Sequence, residues 1–231
     1  IVGLTAAFER LVDRVTLVEL DKDVAALWQV ILNGEGGRLA NHVADFELSL
    51  EAVKAILAAH PTSLYERAFA TLLRNRVQRG GILAPGASLM KAGENGRGIA
   101  SRWYPETLQR RILAIVSLKD RITFVQGDSI DYLCLQADRP DVAYFIDPPY
   151  TVAGRRLYAH SAIDHEALFR VAATLRGDFL MTYDNAPEIR RLAAKHGFDT
   201  EEIAMKNTHH AQETELLIGR DLSWARAKDA G

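Results

Sequence analysis

The stretch Asp141–Tyr150, DVAYFIDPPY, constrains the fold of this chain more than any other. Val142, Ala143, Tyr144, Phe145 and Ile146 form a short apolar run of the kind that makes a buried strand. Asp147 breaks the run and is followed at once by Pro148 and Pro149. Proline cannot donate to a sheet ladder, so the strand must stop there and the chain beyond it is stiff. Pro148 still offers a carbonyl acceptor, Asp147 offers a second beside it, and Tyr150 offers a flat face. Two acceptors and one aromatic face suit a planar base that carries an exocyclic amine. The plainer reading of the same residues is a strand-ending turn with a surface tyrosine.

Other segments place this strand in an alternating pattern. IVGLTAAFERL reads as a helix, RVTLVELDKD as a strand closing on Glu19 and Asp21, and DVAALWQVIL as a helix stopped by NGEGG. SLEAVKAILAAH, LYERAFATLLRNRV and YPETLQRRILAIV are helical, with a glycine-rich stretch between the last two. After residue 119 the alternation resumes with RITFVQGD, a strand ending on Asp128, and then DVAYFIDPPY. IDHEALFRVAATL, GDFLMTYDN and APEIRRLAAKHG follow as helix, strand and helix. FDTEEIAM and ETELLIGR are joined without room for a helix, so they are expected to pair antiparallel. The expected fold is α/β: a mostly parallel open sheet with a helical and loop insertion, finished by an antiparallel strand. The sheet domain is expected to be discontinuous, over 1–46 and 119–225, with 47–118 inserted.

In open α/β sheets ligands bind beyond the carboxyl ends of the strands. Glu19 and Asp128 stand at such ends; an acid in the first position commonly accepts from ribose hydroxyls, and one in the second can receive an adenine amine. Acids are also common at strand ends simply as helix N-caps.

The formal net charge of −2 gives no global nucleic-acid signal, so any such surface must be local. One exists between Arg74 and Arg111, where eight basic residues outweigh Glu94 and Glu106, eight less two giving +6. Arg76, Arg79, Arg97 and Arg102 are the candidates for nucleic-acid contact, with Trp103 and Tyr104 adding aromatic surface. The alternative is a solvated loop kept soluble by its arginines. Weaker features have plainer readings. His209-His210 lacks a third ligand at a useful spacing, and Asp164-His165-Glu166 is expected to open a helix. Tyr183-Asp184-Asn185 ends a strand and could line the pocket. The single cysteine, Cys134, excludes an intrachain disulfide and is expected in the core. It fits a cytoplasmic setting, and no apolar run approaches the roughly 18 residues of a membrane span.

The segment Phe145–Tyr150 resembles motif IV of the amino-methyltransferases, in the aspartate form typical of enzymes that methylate adenine N6. TLVELDKDVAALWQVI is similar to the second motif of the Dam-like DNA adenine methylases. NRVQRGGILAPG and SRWYPETLQRRI resemble their variable recognition region, and GDFLMTYDN and HHAQETELLI their later motifs. The resemblance covers essentially the whole chain, with motif IV the most specific part.

It implies a Rossmann-like S-adenosylmethionine-dependent methyltransferase sheet, with residues 47–118 serving target recognition. It implies S-adenosylmethionine as methyl donor, no metal, and double-stranded DNA as substrate, with the adenine swung out of the stack. Asp147, Pro148, Pro149 and Tyr150 would be catalytic. Gly3, Leu4, Thr5, Glu19, Leu20, Asp128, Ser129 and Asp147 would contact the donor, and Arg76, Arg79, Arg97, Arg102 and Tyr104 the nucleic acid. Pairing with a restriction endonuclease is consistent with such an enzyme. The family's Gly-rich first motif is expected upstream of Ile1, with Gly3 as its last glycine, so donor affinity is expected to depend on an upstream segment. An RNA adenine-N6 methyltransferase and a non-catalytic nucleic-acid-binding remnant of a methylase remain as alternatives.

Overall fold

The computed structural model describes residues 1–84, 86–93, 96–150, 163–206 and 212–226. The chain is a mixed α/β protein with ten α-helices and two small sheets among the described residues. It divides into two compact units, one of residues 1–127 and one of the described residues from 128 onward.

The first unit opens with α1 (Val2–Phe8) and β1 (Val15–Glu19). Asp21 caps α2 (Lys22–Leu32) by accepting from the Asp23 and Val24 amides at 2.8 and 3.2 Å. Gly34, at φ 100°, ends that helix, but the following glycines start another, α3 (Gly36–Asp45), where the sequence pattern suggested only a stop. Leu39, Ala40 and Val43 are fully buried at helical spacing, and they outweigh the low propensity of Gly36 and Gly37. Gly36 is also required sterically, because a Cβ there would lie 2.4 Å from the Val116 side chain.

Next come α4 (Leu50–Ala58), α5 (Leu64–Val77) and α6 (Pro105–Val116). Ser63 and Glu66 form a reciprocal capping box at the start of α5, and Pro105 occupies the first turn of α6. Segment 47–118 shares one core with what precedes it. Val30, Leu39 and Val43 pack with Phe69, Leu73, Trp103, Leu108 and Ile112 in a single cluster. The unit closes with β2 (Ile122–Gln126), parallel to β1 in the register Val15↔Ile122 to Glu19↔Gln126.

The second unit contains α7 (Ser129–Gln136), β3 (Tyr144–Ile146), α8 (His165–Thr174) and β4 (Phe179–Asp184). It continues with α9 (Pro187–Lys195), β5 (Asp199–Lys206), β6 (Gln212–Gly219) and the short α10 (Ser223–Arg226). Its sheet has the order β3-β4-β6-β5, with β3 and β4 parallel and β6 antiparallel to both β4 and β5. The antiparallel β5–β6 pair is as expected from the short connection. Where one mostly parallel sheet is expected, the described strands hydrogen-bond into a parallel two-stranded sheet and a mixed four-stranded one. Phe169, Met181, Tyr183, Ile189, Leu216 and Ile218 form the second core and are all fully buried. No helix among the described residues is long and apolar enough to cross a membrane.

Two expectations about single residues change. Cys134 is exposed, because α7 and its C-cap pack through Ile130, Leu133 and Ala137, and Cys134 falls outside that stripe. Trp103 is core rather than aromatic surface, 5% exposed and edge-on to Phe46 at 5.7 Å between ring centroids.

Candidate functional site

Strand β3 delivers the Asp-Pro-Pro-Tyr segment to the carboxyl end of its sheet. Pro148 is buried, Pro149 and Tyr150 are half-buried, and Asp147 is exposed. The parallel register pairs Ile146 with Met181, which brings the next residues, Asp147 and Thr182, side by side. Thr182 Oγ1 donates to Asp147 Oδ1 at 2.8 Å. One carboxylate oxygen is thereby fixed, and the acid is held at the strand's end in one orientation.

On β4, side chains alternate between faces. Met181 and Tyr183 enter the core, whereas Thr182 and Asp184 share the face of Asp147. Glu215 stands directly opposite Asp184 on β6. The Tyr150 hydroxyl donates to the Glu215 carboxylate, which anchors the ring. Burial raises the Tyr150 pKa well above the usual phenol range, and the Glu215 hydrogen bond and the charges of Glu215, Asp147 and Asp184 add to the shift. The ring therefore stays neutral and keeps its donor. The charges of three carboxylates thus act on the Tyr150 hydroxyl.

Thr182 and Glu215 were not singled out from the sequence. The signal was present in the period-two pattern, since Thr182 lies two residues before Asp184 and Glu215 precedes the apolar Leu216. Only the register shows that they converge. Of Tyr183-Asp184-Asn185, Tyr183 is fully buried and its hydroxyl meets His165 Nδ1 at 3.0 Å, so it lines the core. Asn185 donates to Thr214 and accepts from Arg190, at 2.9 and 2.7 Å. Asp164 caps α8 as expected, accepting from the Ala167 amide at 2.9 Å.

The candidate donor-binding residues fall in both units. Gly3 lies within α1, and a Cβ on it would come 3.1 Å from Val15 Cγ1 and 3.4 Å from Leu17 Cδ2. Its bare backbone lets α1 approach β1. Leu4 packs beside Ala7 and Val15, and Thr5 is exposed. Glu19 Oε1 accepts from the Asp21 amide at 2.8 Å, and Leu20 is exposed. Asp128 caps α7, and among the described residues its bonds, from the Ile130 and Asp131 amides at 2.7 and 3.4 Å, go to Oδ1. Oδ2 on this exposed residue remains an acceptor for a ligand, and Ser129 beside it is exposed. The plainer N-cap role is thus real for Asp128 and compatible with ligand contact.

The basic candidates lie in the first unit. Arg74 is neutralised by Asp23 at 3.0 Å, a carboxylate it shares with Arg67 at 3.1 Å. Arg79 is exposed, and its amide donates to the Ser88 carbonyl at 3.0 Å, part of a short antiparallel bridge between Gln78 and Leu89. Arg97 lies over the ring of the exposed Tyr104 at 5.3 Å. Arg76, Arg102 and Arg111 line one cavity with Tyr104. His209-His210 lies outside the described residues. Among the described residues no group of three or more His, Cys, Asp or Glu could hold a metal ion.

Comparison of the chain with protein-family models and with curated proteins finds no match in either.

Proposed function

We propose that the protein is a site-specific DNA methyltransferase that transfers a methyl group from S-adenosylmethionine to the N6 amine of a flipped-out adenine. The observation that carries this reading is the Asp147–Tyr150 constellation: a carboxylate oriented by Thr182 beside an aromatic ring anchored by Glu215. An adenine amine is a weak nucleophile because its lone pair is delocalised into the ring. Accepting its two protons at Asp147 and at the Pro148 carbonyl favours a tetrahedral nitrogen and frees that pair. Tyr150 offers the stacking face that offsets part of the few kcal/mol needed to extract the base. As the nitrogen gains positive charge, the carboxylates of Asp147, Asp184 and Glu215 around Tyr150 stabilise it. No covalent enzyme intermediate is required, in keeping with the absence of any proline–cysteine pair in the sequence.

Glu19 and Asp128 are the residues suited to hold the ribose hydroxyls and the adenine amine of the donor, and Gly3 the packing of the adjoining helix. When bound, S-adenosylmethionine supplies an electrophilic sulfonium methyl group. The finer fold reading, a Rossmann-like sheet, calls for a further parallel strand. Among the described residues β1 and β3 each have one strand partner and so an open edge for it. The test is transfer of labelled methyl from S-adenosylmethionine to duplex DNA by the full-length protein, with structured RNA as the comparison substrate. Methylated adenine in DNA is the expected product; transfer to RNA alone would move the activity to the other nucleic acid.

A further inference from the structure

The last turn of α5, the 3₁₀ turn at Gly98–Arg102 and the first turn of α6 enclose a cavity of about 250 Å³. Arg76, Arg102 and Arg111 line it, with Tyr104 and Thr107, and among the described residues no carboxylate does. Arg67 and Arg74, on the same helix, share Asp23, whereas no described carboxylate forms an ion pair with Arg76, Arg102 or Arg111. Arg102 is fixed in place: its Nη1 donates to the Asn75 carbonyl at 3.3 Å. Gly81, at φ 71°, leaves room that a Cβ would take, 2.6 Å from that nitrogen. Arg76 Nε is buried without an acceptor. Burial lowers the pKa of Arg76, with the charges of Arg102 and Arg111 adding to the effect. Tyr104, the N-cap of α6, makes no side-chain bond to the amides of its first turn.

Three converging guanidinium groups, one with an unsatisfied buried N–H, are unstable company unless an anion joins them. The guanidinium fork matches a phosphate's several oxygens, and a single carboxylate could not satisfy three such forks. We infer that the Arg76–Arg102–Arg111 cavity seats one phosphate group, which on the DNA-binding reading above is a phosphodiester of the duplex backbone. This inference rests on that reading only for the source of the phosphate. Arg97, stacked over Tyr104, extends the positive rim along which the backbone would run.

The test uses the full-length protein, a non-specific DNA duplex and fluorescence anisotropy over a range of salt. Arg111 is exposed, so Arg111→Gln keeps the fold, and Arg170→Gln on the exposed face of α8 serves as control. Each phosphate contact contributes about 0.9 to the slope of log K against log salt. Arg111→Gln and Arg102→Gln are each expected to reduce the slope by about one, and Arg170→Gln to leave it unchanged. A second arm titrates inorganic phosphate, followed by ³¹P line broadening, which wild type is expected to show and Arg111→Gln to lose. DNA binding with slopes unaltered in both variants overturns the phosphate seat and leaves the DNA reading standing. Phosphate broadening that depends on Arg111, without DNA binding, keeps the seat and overturns its assignment to DNA. If neither arm separates wild type from the variants, the inference is wrong.

Discussion

At the scale of the residue, Tyr150 and Glu215 are the most informative pair. A phenol hydrogen-bonded to a carboxylate has its ring plane set before any base arrives, which lowers the entropic cost of stacking. Tyr150→Ala in the full-length protein is expected to lose about 1–3 kcal/mol of base stacking, read as weaker fluorescence enhancement of 2-aminopurine at the target position. Tyr150→Phe keeps the ring but releases its anchor and is expected to lower kcat/KM by a smaller factor, whereas Glu215→Ala also removes a charge near the reacting nitrogen and is expected to lower it further. Near-additive effects in the double variant would contradict the anchoring role, because residues acting through one hydrogen bond are not additive. The sequence made Asp147 and Tyr150 legible through the two prolines between them. It could not reveal Thr182 or Glu215, since each joins the site through pairing with a strand far away in the chain. Cys134 and Trp103 show the complementary error: residue type suggested core for one and surface for the other, and helix phase and loop packing reversed both.

At the scale of the element, the helices that hold the first unit together carry two predictions. Leu73, fully buried on α5, packs in the core built from α2, α3, α5 and α6. Leu73→Ala is expected to destabilise the protein by about 2–5 kcal/mol, measured by urea denaturation. His42 on α3 stacks on Phe69 at 3.9 Å and lies 3.2 Å from the Tyr65 hydroxyl. Burial, then the nearby Arg38 charge, lower its pKa below the ordinary histidine value. The folded state therefore favours neutral His42, so its contribution is complete above about pH 6.5 and is lost as the pH falls below that. The urea midpoint of wild type is expected to drop between pH 7.5 and 5.5, and His42→Phe to flatten that dependence. An equal drop in the variant would contradict it. Element types were legible wherever periodicity was sustained, as in α5, α6 and the β5–β6 pair. Helix α3 was not, because Gly34, Gly36 and Gly37 read as a stop and concealed the Leu39, Ala40 and Val43 stripe that starts at once. The eight-residue α7 was too short to show a period.

At the scale of the whole molecule, charge is distributed unevenly. A chain of net charge −2 places in one unit a cluster of arginines with no ion-pair partner among the described residues, and in the other an acid-rich aromatic site. Mixed α/β architecture was legible from the alternation of elements. The division into two sheets was not, because an apolar run ending in an acid indicates a strand but not its neighbour. The most direct measurement is incorporation of labelled methyl from S-adenosylmethionine into duplex DNA by the full-length protein, for wild type and Asp147→Ala. Methylation at adenine N6 by wild type, reduced about 10²- to 10³-fold or more in the variant at unchanged thermal stability, is the expected result. Equal activity in Asp147→Ala would contradict the central claim.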